Sequence, residues 1–103
     1  MDWYSLSDPA IMAELGKRLK ATRLRRNITQ QELALRSGIS LLSIQHLEKG
    51  QSVTLATLIK VLRMLQLIPN LDSLVPESPI SPIELLKLKR KTRQRARRIQ
   101  AKE

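Results

Sequence analysis

Apolar residues recur along this chain at three- and four-residue steps, in stretches that each open on a hydroxyl or carboxylate side chain. This spacing predicts a series of short helices. Asp8 reads as an N-cap with Pro9 at the first helical position, and Ile11, Leu15, Leu19 and Thr22 then share one face of a helix ending near Asn27. Thr29 opens a second helix with Glu32 three residues on, a capping box; Leu33 and Ala34 face inward and Gly38 stops it. Ser40 caps a third, with Ile44 and Leu47 on its buried side and Gly50 at its end. Thr54 caps a fourth, "LATLIKVLRMLQL", whose stripe is Leu55, Leu58, Ile59, Leu62 and Leu65. Pro69 closes it, and Leu71 and Leu74 are spaced to dock a short fifth helix onto the core.

The texture changes after Val75. "PESPISP" is Pro-rich and reads as an extended linker over 76–81. Ser81-Pro82-Ile83-Glu84 repeats the capping-box pattern, so a sixth helix can begin there. The expected organisation is a domain over 1–75, the linker, and a tail over 82–103. No internal repeat is visible.

Composition narrows the class. Phe is absent and there is one Trp and one Tyr, so the core must be aliphatic. Three Gly and three Val among 103 residues point away from a β-sandwich. With no Cys there are no disulfides or thiolate ligands, which fits a reducing cytoplasm. A single His gives little support to a metal site or a His-based catalytic arrangement. No apolar run is long enough for a membrane span, and no charged-then-apolar leader opens the chain. No Gly-rich phosphate loop, activated nucleophile or close carboxylate pair is present, so no catalytic residue, enzyme activity or cofactor is expected.

The net charge of +10 implies a polyanionic partner, most simply nucleic acid. Its distribution is uneven. Residues 82–103 hold nine Lys and Arg against two Glu, a balance of +7, which leaves +3 for residues 1–81.

Two short helices joined by a Gly-containing turn make a helix-turn-helix. The stretch "TQQELALRSGISLLSIQHLEKG", residues 29–50, resembles the Xre/Cro/phage-repressor family: Ala34 is its small residue, Gly38 its turn, and Leu33, Ile39, Ile44 and Leu47 its inward positions. The resemblance implies an all-α, five-helix, lambda-repressor-like bundle, which is followed in this chain by the Pro-rich linker and a basic C-terminal tail able to form a helix. It implies base contacts from Ser40, Leu41, Leu42, Ser43, Gln45 and His46 on the third helix. Gln30, Gln31 and Lys49 would touch the DNA backbone, helped by the dipole of the second helix. Arg23 and Glu48 match a pair that forms a largely buried salt bridge in this family, and contact of Arg23 with a phosphate is the alternative.

Leu41 and Leu42 depart from the family, which mostly places polar residues at both positions. Leucine cannot form the bidentate hydrogen bonds that read guanine or adenine. Contact with a thymine methyl, packing against the domain, and protein–protein contact all stay open for them. Trp3 and Tyr4 likewise either cover an edge of the bundle or contact a second subunit.

In the tail, Ile83, Leu85, Leu86 and Leu88 give the first turns an apolar side, and cations then fall on all sides. A backbone grip through Arg90, Arg93 and Arg97, a partner contact through Ile83 and Leu86, and a solvated tail are the alternatives. The order helix-turn-helix, Pro linker, "SPIELLKLKRKTRQRAR" is similar to HipB-like antitoxins. That resemblance implies a homodimer on an inverted-repeat operator of double-stranded DNA, repressing its own toxin–antitoxin operon. It implies as partner a HipA-like serine/threonine kinase toxin, or the N-terminal subunit of a split one. The alternative is an interaction protein that mainly sequesters a toxin subunit, with DNA binding secondary.

Overall fold

The computed structural model describes residues 1–78, 83 and 86–92. Among them there is helix and no strand. The first unit runs Met1–Leu71 and the second Asp72–Glu103. A 3-10 turn at Trp3–Ser5 leads into α1 (Asp8–Arg25), α2 (Gln30–Ser37), α3 (Leu41–Glu48) and α4 (Leu55–Met64). A second 3-10 turn at Ile68–Asn70 passes into α5 (Leu71–Leu74).

Hydroxyl side chains start the four longer helices. Ser7, Thr29, Ser40 and Thr54 accept from the backbone N–H of Ala10, Glu32, Ser43 and Thr57 at 3.0–3.3 Å. Each such cap contributes about 1 kcal/mol by satisfying an amide that the helix itself leaves unpaired. The cap of α1 thus lies one residue before the expected Asp8: Ser7 is the cap, and Asp8, as the first helical residue, adds its negative charge to the first turn.

The core consists of Leu19, Leu33, Ala34, Ile44, Leu47, Val61 and Leu65, with Ile28, Ile39, Leu41, Leu58 and Leu62 among the side chains packed around it. Three assignments made from periodicity are corrected here. Leu15 is exposed; the face α1 turns inward carries Gly16, Leu19 and Arg23. Leu55 is exposed at the first residue of α4, and Val61, absent from the expected stripe, is 1% exposed. Leu74, expected on the inward side of the fifth helix, is exposed.

Gly16 explains the rotation of α1. A Cβ there would lie 2.3 Å from the carbonyl oxygen of Leu47 and 2.8 Å from that of Glu48. The missing side chain lets α1 press against the backbone at the end of α3, and Leu15 is turned away as a result. Gly50 meets α1 from the other side: at φ +80° its Cβ would stand 2.5 Å from Cα of Ala13. The end of α3 is therefore held to α1 by close backbone approach at two places.

At the N-terminus, the Arg18 guanidinium lies 4.8 Å from the centre of the Trp3 ring, while Nε of Arg18 pairs with Glu14 at 3.0 Å. Trp3 is half-buried in this way, but Tyr4 is fully exposed and covers nothing.

In the second unit, residues 76–78 take no regular structure and residues 86–92 are helical, with Thr92 Oγ1 donating to the Leu88 carbonyl at 3.0 Å. The expected helix start at Ser81-Pro82 lies outside the described residues, as do Arg93 and Arg97.

Candidate nucleic-acid interface

The helix pair at the centre of the first unit is positioned by its turn. α2 ends at Gly38, whose φ of +71° is a left-handed conformation that L side chains resist. Ile39 N–H donates back to Ala34 O at 3.1 Å, and Ser40 then starts α3. Ala34 is buried between the helices, where a larger side chain would separate them.

At 3.6 residues per turn, burying Ile44 and Leu47 puts Leu42, Gln45, His46 and Lys49 on the opposite side of α3. Lys49 and Leu42 are exposed, Leu42 at 58%, and Gln45 and His46 are partly buried. Ser40 and Ser43 lie at the helix start with their hydroxyls 2.8 Å apart.

The two leucines separate. Leu41 packs against the core and lines a groove between the start of α2 and α3. Lys20, Asn27, Gln30, Gln31 and Gln45 line the same groove. Leu42 does not, and stands in solvent.

Behind the groove is a polar cluster tied to one carboxylate. Arg23 Nε and Nη2 reach Glu48 Oε2 and Oε1 at 2.6 and 3.1 Å, and Arg23 Nη1 donates to the carbonyl of Ile28 at 2.8 Å. The two side chains are 6% and 5% exposed. Gln30 Nε2 also donates to Glu48 Oε1, at 3.0 Å. This last bond is not legible from helix spacing, since it joins residues on two helices across the turn. It fixes the Gln30 amide and leaves its second N–H for another acceptor. Three of the five N–H groups of Arg23 are engaged inside in this way.

Of the remaining site residues, Gln31 and Lys49 are exposed at the two ends of the helix pair. Arg90, Ile83 and Leu86 are exposed in the second unit, the apolar two at 67% and 57%.

Residues 19–69 match the family model described as helix-turn-helix. The match begins within α1 and runs through α2, the turn, α3 and α4 to the second 3-10 turn. No curated protein matches the chain.

Proposed function

From the premise of a helix-turn-helix domain at residues 19–69, the mark of a DNA-binding regulator, we propose that the protein is a sequence-specific transcriptional repressor of the Xre/Cro type. The observation that carries this reading is the outward face of α3. It presents Leu42, Gln45, His46 and Lys49 together, beside a groove lined by Lys20, Gln30 and Gln31. Base readers on one helix with phosphate donors along its flank are what major-groove docking requires.

In this reading residues 1–75 bind DNA, 76–81 are a linker, and 82–103 add a basic grip on the phosphates. The protein acts as a homodimer on an operator of two inverted half-sites about 34 Å apart. The order of domain, linker and basic tail supports the finer assignment to a HipB-like component that represses its own toxin–antitoxin operon and binds a HipA-like kinase. Exposed Ile83 and Leu86 favour a second reading, in which the chain mainly sequesters a toxin subunit.

Fluorescence anisotropy of the full chain on the DNA upstream of its own gene, against a scrambled duplex, tests the proposal. Tighter binding to the native duplex at every salt concentration is expected. Equal binding to both would reject sequence-specific repression. Copurification with the product of a neighbouring gene then separates the two partner readings.

A further inference from the structure

We infer that Leu42 reads the 5-methyl group of a thymine in the major groove. The inference rests on the DNA-binding reading above and assigns part of its specificity to one side chain.

The adjacent leucines at the start of α3 do different work. Leu41 is accounted for by the core, against which it packs. Leu42 is 58% exposed, on the side of α3 opposite Ile44 and Leu47. Among the described residues, Leu42 is not one of the side chains that form the core or pack against it.

Its surroundings specify the occupant. The neighbouring hydroxyls are engaged within the protein: Ser40 Oγ caps the Ser43 N–H at 3.1 Å, and the two oxygens lie 2.8 Å apart. Lys49, two turns along the same face, is an exposed cation, and Gln45 and His46 lie between. A single apolar tip on a polar, basic face is a poor match for an apolar protein groove. It suits a surface that is anionic and polar with isolated apolar groups. The major groove is such a surface, and its only apolar group is the thymine methyl. Leucine offers no donor or acceptor for the edges of guanine, adenine or cytosine, so contact with that methyl is the readout open to it.

Deoxyuridine isolates the effect, because it keeps the hydrogen-bonding edge of thymine and lacks only the methyl. The full chain is used to enrich duplexes from a random-sequence pool, and each thymine of an enriched duplex is replaced singly by deoxyuridine. One position per half-site is expected to weaken binding about fourfold, the worth of burying one methyl-sized group. With L42A, whose fold is checked by circular dichroism, thymine and deoxyuridine at that position should bind alike. If no uracil weakens binding by as much as twofold, the methyl contact is wrong while sequence-specific binding stands. A uracil penalty that persists undiminished in L42A assigns the methyl to another side chain and also overturns the inference. A pool that yields no enriched duplex rejects sequence-specific binding itself, and the methyl contact with it.

Discussion

Glu48 joins three helices through one carboxylate: it lies on α3, accepts two bonds from Arg23 of α1, and accepts a third from Gln30 of α2. Such a pair is not by itself a source of stability, because taking two charges out of water offsets most of their attraction. Breaking it is another matter. Glu48→Ala leaves a guanidinium that is 6% exposed with only the Ile28 carbonyl for a partner. Urea denaturation should show a loss of about 3–5 kcal/mol. The double variant R23M/E48L, which removes both charges, should recover much of it. If Glu48→Ala unfolds at the wild-type midpoint, the pair is not the tie described here. Gln30 would also lose the anchor that fixes its amide, so DNA affinity in the double variant should stay below wild type even where stability returns.

The helices follow from local rules, and their orientation does not. Hydroxyl caps, the Pro near the start of α1 and the glycine after α2 mark element boundaries because caps and left-handed turns have few chemical solutions. Which face is buried depends on neighbours. Leu15 has the right spacing for the core, yet α1 is rotated because Gly16 permits backbone contact with the end of α3. Val61 lies outside the leucine stripe of α4 but is nearly inaccessible, and the leucine at the first residue of that helix is exposed. The Arg23–Glu48 pairing came into view through family resemblance, whereas the Gln30–Glu48 bond needs the packed helices. Gly16→Ala tests this interface directly. In an isolated helix the change would favour folding by about 1 kcal/mol. Here the new methyl would meet backbone oxygen at 2.3 Å, which cannot yield as a side chain tip can. Overpacking of this kind costs about 1–3 kcal/mol, so the thermal midpoint should fall. A midpoint that rises would mean α1 and α3 are not held in this register. Gly38→Ala is the informative comparison: nothing lies within 4 Å of its Cβ position, so any loss there comes from φ +71° alone.

At the scale of the whole molecule, fold and charge are separated along the chain. Among the described residues, the buried core residues lie between Leu19 and Leu65, whereas residues 82–103 carry +7 of the net +10. Removing 82–103 deletes none of those residues, so a 1–81 chain should melt close to the full one. Its DNA binding should change in a specific way. A cation that neutralises a phosphate releases counterions, and each contact contributes about 0.9 to the slope of log affinity against log salt. If roughly four to six tail cations meet phosphates, the full chain should show a slope steeper by about four to five than 1–81. If α3 reads the bases as proposed, the two chains should still share one preference for native over scrambled duplex, since phosphate contacts carry no base information and α3 is unchanged. Lys87 and Lys91, one helical turn apart and both exposed, repel each other when no anion is present. A polyanion removes that cost, so added duplex should raise the helical signal of the full chain and leave that of 1–81 unaltered. Equal salt slopes for the two chains would take the tail off the DNA and leave exposed Ile83 and Leu86 as the start of a protein-binding segment.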